Sequence, residues 1–206
     1  PCARMPSTRV NAQSMAGELG TMSDREESIL QATLELVSEE GLTGTTIALI
    51  AKRAKASPGI IYHYFASKDE IVATLYAHVE RDYIQALLEG GTLDLPWAER
   101  MRQLFLGTYD YFVAHPLALA FYEQYKNSAY FKTQDDMTDG AMAPLVQAML
   151  DDIERGLVKP WPLHVIYAMT AGVAISVAKF QSAGVISLDR AAIEAVADAA
   201  CRSIQA

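Results

Sequence analysis

The sequence predicts an all-α protein of about nine helices, and three observations support this fold class. Apolar residues recur with the period of an α-helix along the chain, and no convincing pair of strands is visible. Capping residues and glycine stops separate these periodic segments. The chain has 206 residues, of which 51% are hydrophobic and 20% charged, which is enough for one or two domains with a sizeable core.

The first two helices are predicted from their caps. Ser23 and Glu26 have the spacing of a capping box, and Gly41 lies where a glycine commonly ends a helix. A short second helix is predicted from about Thr46 to Ala54. We expect Thr45 to be its N-cap because a threonine hydroxyl can accept a hydrogen bond from the first turn.

The third and fourth helices follow after a short turn. Ser57 is a good N-cap and Pro58 a good first residue, so a second short helix is predicted there. Ser67 then begins a long helix that extends to about Leu88, and the glycines at 90–91 end it. These glycines lie at the predicted boundary between the long helix and the rest of the chain.

Five more helices are predicted beyond this boundary by the same signals. Each is bounded by a proline, a glycine or a capping residue, and a polar loop at 128–138 separates the second of them from the third. The predicted ranges are about 94–115, 117–127, 139–155, 163–183 and 187–206, the last with Ser187 as its N-cap.

The segment Pro160–Ala178 is the one stretch that resembles a membrane span, because it carries no charged residue. A spanning helix needs about 20 apolar residues. Trp161, Pro162 and His164 interrupt the start of this segment, and Lys179 closes it without a run of basic residues. We therefore predict a buried helix and no membrane partner.

The domain organisation is predicted as a flexible tail at 1–22, a first domain at 23–68 and a second domain at 69–206, with the helix at 67–88 as the link. The tail has no apolar stretch of the kind a secretory signal needs. Two cysteines near opposite ends form neither a disulfide framework nor a zinc site, so we expect a cytoplasmic protein. Catalytic, phosphate-binding and paired-histidine metal motifs are absent from the sequence, so we expect no enzyme, cofactor or metal.

The charge distribution is uneven, and this is the first indication of function. The net charge of −8 excludes a uniformly basic nucleic-acid coat. The window Gly41–Lys68 nevertheless contains four lysines and arginines and no acidic residue. A local excess of cations favours phosphate binding. The same window holds two short helices joined by a brief link, which is helix-turn-helix spacing.

The aromatic residues of the second short helix distinguish DNA binding from the simpler alternative, a surface helix pair with solvated lysines. Tyr62, His63 and Tyr64 are consecutive, so a helix cannot turn all three toward one core. At least one must be exposed beside Gly59, where a nucleic-acid backbone can approach closely. This favours the DNA-binding interpretation.

At this point the sequence resembles the tetracycline-repressor (TetR) family. The resemblance covers about Ser28 to Val72 and is carried by three segments: Thr45-Thr46-Ile47 with Ile50-Ala51, Ser57 through Phe65, and Ser67-Lys68-Asp69-Glu70. It implies a three-helix DNA-binding headpiece, a linking fourth helix, and a helical domain that binds ligands and dimerises.

The resemblance also implies the residues that contact operator DNA. Tyr62 and His63 are the best candidates for base or sugar contacts. The resemblance implies phosphate contacts for Thr45 and Thr46 at the start of the second helix, and for Tyr64 and Lys68. Two positions depart from the family pattern, since Lys55 replaces a usual glycine and Ile60 replaces a small polar residue. The full predicted set is Thr45, Thr46, Lys55, Ser57, Pro58, Gly59, Ile60, Tyr62, His63, Tyr64 and Lys68.

Aromatic residues and methionines of the second domain are the candidates for an effector site. Any one of these residues would fit an ordinary core. As a set, however, the tyrosines favour a pocket, because buried hydroxyls need hydrogen-bond partners. Ligand pockets also combine apolar walls with a few polar groups. The resemblance implies a small, often hydrophobic ligand between these helices. The predicted set is Tyr109, Phe112, Phe121, Tyr122, Tyr125, Met142, Met149, Tyr167 and Met169.

The last two helices are rich in small residues, which let helices pack closely. An intramolecular helix pair would explain this composition, but the resemblance implies a homodimer interface formed by these helices. The combined interpretation is a dimeric repressor that a small apolar or aromatic molecule releases from a palindromic operator. Two alternatives stay open, namely a ligand-independent architectural protein or activator, and a helical enzyme or carrier.

Overall fold

The computed structural model describes residues 22–131 and 140–206, and within them the predicted all-α fold is confirmed. All nine predicted helices are present in these ranges, and the eighth is divided at Thr170, which has φ −121° and ψ −91°. The described residues form α1 (Asp24–Gly44), α2 (Ile47–Arg53), α3 (Pro58–Tyr64), α4 (Lys68–Leu88), α5 (Trp97–Ala114), α6 (Pro116–Lys126), α7 (Ala143–Glu154), α8 (Leu163–Met169), α9 (Ala171–Ser182) and α10 (Arg190–Ile204). The predicted tail and most of the predicted loop lie outside the described residues.

Most of the predicted caps are correct, and two are wrong. Ser23, Ser57 and Ser67 each accept a hydrogen bond from the first turn of the helix that follows. Thr46, not Thr45, is the N-cap of α2, and Asp189, not Ser187, is the N-cap of α10. In both cases the cap lies nearer the helix than predicted, because only that side chain reaches the free N–H groups of the first turn.

The headpiece and the second domain share one continuous apolar core. α1 packs against α2, α4 and α6, while α5 packs against α4, α6, α9 and α10. Ile29 and Val37 of α1, Ile50 of α2 and Ile61 of α3 are fully buried in the headpiece part of this core. The linking helix α4 contributes to both halves, so the two domains form one packed body within the described ranges.

The apolar segment at α8 and α9 is only partly covered by the rest of the chain. Leu163–Ser182 is long and apolar enough to cross a membrane by length and composition, and 28% of its most apolar window is buried. The break at Thr170 interrupts it, and the exposed side chains include Val165 and Phe180. Our prediction of a buried helix is therefore correct only for the inward face, which includes Ala174 and Ala178.

A buried ion pair fastens α7 to α5. The guanidinium of Arg100 donates to the carboxylate of Asp152, and both side chains are almost fully buried. The same guanidinium also donates to the carbonyl oxygens of Leu93 and Leu95 at 3.3 and 3.1 Å. The guanidinium of Arg100 thus neutralises the Asp152 carboxylate of α7, and it also donates hydrogen bonds to two backbone carbonyls just before α5.

We predict that Arg100→Leu destabilises the protein by about 3–5 kcal/mol, because it leaves the Asp152 carboxylate buried without a partner. The double variant Arg100→Leu with Asp152→Leu should recover at least half of that loss. Denaturant unfolding followed by circular dichroism measures both values.

Arg102→Leu is the matched control, since Arg102 makes half-exposed ion pairs to Glu194 and Asp198 on α10. Such pairs contribute about 0–1 kcal/mol. Equal losses from the Arg100 and Arg102 variants would contradict a special role for the buried pair.

Candidate nucleic-acid interface and ligand cavity

The turn between α2 and α3 is a helix-ending motif that holds a lysine in a left-handed backbone. Lys55 has φ +52°, and its N–H donates to the carbonyl oxygen of Lys52. The N–H of Ala56 donates to the carbonyl oxygen of Ala51 at 2.8 Å. This pair of bonds defines a Schellman motif, which usually has glycine in the position of Lys55. The predicted departure from the family turn is thus accommodated without altering the turn itself.

The third helix presents a mixed aromatic and aliphatic surface to solvent. Ile61 is fully buried and Phe65 nearly so, as predicted. Tyr62 is 56% exposed and Ile60 39% exposed, and His63 is exposed beside them. Since α3 is anchored by one buried face, its opposite face is rigidly positioned and free to contact a macromolecule.

Thr45 and Thr46 have different environments, although the sequence predicted phosphate contacts for both. Thr46 is exposed and its hydroxyl caps α2 by accepting from the N–H of Leu49. Thr45 is fully buried, and its hydroxyl donates to the carbonyl oxygen of Gly41 at 2.8 Å. The prediction of a phosphate contact by Thr45 is therefore wrong, because its side chain supports the turn from within.

The four cations of the acid-free window are not equivalent in space. Arg53 donates to the carboxylates of Glu35 and Glu39 on α1, and this hydrogen bond holds the pKa of Glu39 below its ordinary value. Lys52 and Lys55 are exposed, whereas the ammonium of Lys68 donates to the carbonyl oxygen of Leu42. Arg53 is thus neutralised by α1, and the three lysines remain as the other positive charges of the window. The exposed Arg25 of α1 adds a cation at the end of α2, where it donates to the carbonyl oxygen of Ala54.

The second domain contains a cavity of about 100 Å³ between α4, α5, α7, α8 and α9, and this cavity is partly open to solvent. Its walls are mainly aliphatic and thioether side chains, and none of the described lining residues is charged. The lining comprises Tyr83, Leu87, Met101, Leu104, Phe105, Thr108, Met142, Leu145, Val146, Met149, Leu163, Ile166, Tyr167, Thr170 and Ala171.

Three of the four hydroxyl groups that line the cavity, those of Tyr83, Thr108 and Thr170, donate their hydrogens within the protein. Thr108 and Thr170 donate to the carbonyl oxygens four residues earlier in their own helices. The hydroxyl of Tyr83 lies 2.9 Å from that of Thr108, and since Thr108 donates elsewhere, Tyr83 is the donor. Burial raises the pKa of Tyr83 and of Tyr167, so both phenols stay neutral. The hydroxyl of Tyr167 lies 3.4 Å from that of Tyr122, and either of the two can donate. The cavity therefore offers mainly oxygen lone pairs in an apolar surrounding.

Three of the nine predicted ligand residues, Met142, Met149 and Tyr167, line this cavity, and the other six do not. The rings of Phe112 and Phe121 are fully buried in the core, where they pack against other aromatic rings. The remaining residues outside the cavity lining are Tyr109, Tyr122, Tyr125 and Met169. For these six, the simpler alternative of ordinary core packing agrees better with the structure.

The cavity residues that the sequence analysis missed had a detectable signal in α7. Met142, Leu145, Val146 and Met149 follow the i, i+3, i+4, i+7 spacing of one helical face. That stripe predicts a face directed inward. The sequence analysis chose Met142 and Met149 from this stripe but passed over Leu145 and Val146 between them.

Comparisons with known proteins agree with this two-part architecture. Residues 29–75 match the family described as bacterial regulatory proteins, tetR family, and residues 96–205 match the tetracyclin repressor-like, C-terminal domain. The HTH-type transcriptional regulator BetI of Burkholderia thailandensis is 37% identical over 95 residues, which are 45% of this chain and 48% of that protein. BetI of Paraburkholderia xenovorans is 42% identical over 69 residues, which are 34% of this chain and 35% of that protein. The chain thus spans half or less of the length of the curated relatives it matches.

Solved structures share the fold over nearly the whole chain. A TetR family transcription regulator from Marinobacter aquaeolei superposes with a TM-score of 0.79 at 20% identity, covering 88% of this chain and 95% of that one. A TetR-family transcriptional regulator from Haemophilus influenzae superposes with a TM-score of 0.75 at 24% identity, covering 89% and 97%. At these identities the likeness concerns the fold alone.

We predict that Lys55→Gly raises stability and weakens DNA binding. Glycine relieves the left-handed strain and stabilises the fold by about 1 kcal/mol. Loss of the ammonium should lower affinity for any DNA sequence and reduce the slope of log affinity against log salt by about 1. Thermal unfolding and fluorescence anisotropy at several salt concentrations measure the two effects.

Lys159→Ala provides a control far from the headpiece, since its ammonium donates to the carbonyl oxygen of Ser203. It should leave the salt slope unchanged. A Lys55→Gly variant that keeps the wild-type slope would show that Lys55 contacts no phosphate.

Proposed function

This chain belongs to the TetR family of DNA-binding transcriptional regulators, which are not enzymes, and we propose that it is a cytoplasmic repressor that leaves a palindromic operator when a small apolar or aromatic molecule binds. The observation that carries the proposal is the pairing of two features in one packed body. One is the exposed α3 face with its three surrounding lysines, and the other is the uncharged cavity of the second domain.

The DNA contacts are assigned to the exposed side of the helix-turn-helix. Tyr62, His63 and Ile60 face solvent on α3 and supply base and sugar contacts, the last through an apolar contact such as a thymine methyl. Thr46, Lys55 and Lys68 surround them and supply phosphate contacts, together with Ser57, Pro58, Gly59 and Tyr64 at the two ends of α3.

A homodimer is proposed through the uncovered faces of α9 and α10. Ala191, Ala195 and Ala199 recur every four residues on the exposed side of α10, whereas Ala197 and Ala200 face the core. The exposed Phe180 of α9 is 46% accessible. A dimer also places two headpieces on half-sites about 34–36 Å apart, so that two weak sets of base contacts add.

The regulatory mechanism is a shift between two populations of the dimer. A ligand in the cavity favours the state in which the headpiece spacing mismatches successive major grooves, and the linking helix α4 transmits the change because Tyr83 and Leu87 of α4 line the cavity. The ligand needs only to bind this state better than the DNA-bound state. The opposite preference would make it a co-repressor.

The first test is selection of genomic fragments by the purified protein at about 150 mM salt, where non-specific binding is weak. Wild type should enrich a palindrome with half-sites about one helical turn apart. Tyr62→Ala should enrich no palindrome, because it removes the most exposed ring of α3. Thermal unfolding of both proteins serves as the folding control.

Wild type that enriches no palindrome, even after refolding to strip any bound ligand, would refute the operator proposal. A palindrome recovered equally by Tyr62→Ala would refute the assignment of Tyr62. DNA binding that no ligand changes would favour the ligand-independent regulator.

The second test compares two probes of nearly the same shape. N-phenyl-1-naphthylamine is uncharged and carries one N–H donor, whereas 8-anilino-1-naphthalenesulfonate adds an anionic group. The cavity has lone pairs but no described cation, so fluorescence titration should show at least tenfold tighter binding of the uncharged probe.

Ala171→Phe, which adds a ring at the cavity wall, should displace the uncharged probe. Ala114→Phe, at the exposed end of α5 and outside the cavity lining, is the size-matched control and should not. Equal binding of the two probes would contradict an uncharged site.

A further inference from the structure

The first helix is broken at one residue, and the break is filled by a side chain from the second domain. Gly41 has φ +73° and ψ +167°, a conformation that is essentially restricted to glycine. In an unbroken α-helix the N–H of Leu42 would pair with the carbonyl oxygen of Ser38. Here it donates to the side-chain oxygen Oε1 of Gln124 on α6 at 2.8 Å.

The amide of Gln124 satisfies both sides of this break. Its nitrogen Nε2 donates to the carbonyl oxygen of Val37 at 3.0 Å, while its oxygen accepts from Leu42. A Cβ at position 41 would lie 3.3 Å from the same amide oxygen. One planar amide therefore takes a donor and an acceptor role on consecutive turns of α1, which a carboxylate or an aliphatic side chain cannot do.

The break is also the point where the start of α4 is attached. The ammonium of Lys68 donates to the carbonyl oxygen of Leu42, so the two polar backbone groups of Leu42 bind side chains of α6 and α4. On α6, the ring of Tyr125 next to Gln124 stacks on Tyr76 of α4, with 3.9 Å between centroids. α1, α4 and α6 are thus joined at one place by directional contacts.

We infer that Gln124 is a positioning residue for operator recognition: although it lies in the second domain, its amide sets the orientation of the headpiece and hence the spacing of the two recognition helices. The inference rests on the proposed function, because it requires a dimer that reads two half-sites. Apolar packing alone resists sliding and rotation of α1 weakly, whereas two hydrogen bonds to opposite sides of a helix break specify one orientation.

The experiment measures DNA affinity at low salt for each variant of the whole chain. The three DNA targets are the selected palindrome, a fragment with one half-site, and palindromes with one base pair inserted or deleted between the half-sites. Gln124→Leu should weaken palindrome binding at least tenfold and half-site binding less than twofold. It should also reduce the wild-type penalty for altered spacing at least fivefold. A loss of headpiece folding would lower all affinities together and leave the spacing penalty unchanged.

Gln124→Glu is the second variant, since its carboxylate still accepts from Leu42 but cannot donate to Val37; it should show the same pattern with a smaller effect. Asn127→Ala is the matched control, because that amide donates to the carbonyl oxygen of Glu123 within α6. It should behave as wild type.

The inference would be overturned if both Gln124 variants lost palindrome and half-site affinity equally, or if neither lost any. In that case, palindrome binding by wild type would still support the proposed function. Wild type that binds no palindrome would instead overturn the proposed function and this inference with it.

Discussion

The way α1 is joined to α4 and α6 depends on which side chains form hydrogen bonds with the backbone at the break in α1. Gly41 breaks α1, and the break leaves polar backbone groups of Val37 and Leu42 to be paired outside the helix. A buried or half-buried N–H without a partner costs about 1–3 kcal/mol, so the headpiece is stable only where side chains supply these partners. Gln124 and Lys68 supply them, and in doing so they join the headpiece to α6 and α4.

In this acidic chain, the placement of a few groups leaves positive charge near the exposed face of α3. α1 contributes two glutamates that bind Arg53, and this removes one cation from the surface. The exposed lysines remain, and Lys55 occupies a strained position that leaves its ammonium in solvent. A left-handed backbone at a non-glycine residue costs stability, and the proposed phosphate contact of Lys55 would explain that cost.

The second domain combines a rigid frame with an apolar space. α5 contacts four other helices, and the buried pair of Arg100 and Asp152 holds α7 against it. The hydroxyls of Tyr83, Thr108 and Thr170 donate to one another or to backbone carbonyls, so the walls are polar mainly through lone pairs. Such a space favours an uncharged occupant, because a charged one would lose its hydration without compensation.

Local signals in the sequence determined the helices, most of their caps, and the exposure of Tyr62 beside buried Ile61, since caps and helical periodicity act over only a few residues. The family resemblance added the role of the headpiece. Contacts between distant segments were decided only by the tertiary structure. They include the pairing of Arg53 with α1, the burial of Thr45, the cavity lining by α7 instead of Phe112 and Phe121, and the reach of Gln124 across more than 80 residues to α1. The physical reason is that periodicity shows which face of a helix is apolar, whereas the packing of helices decides which neighbour, or which empty space, that face meets.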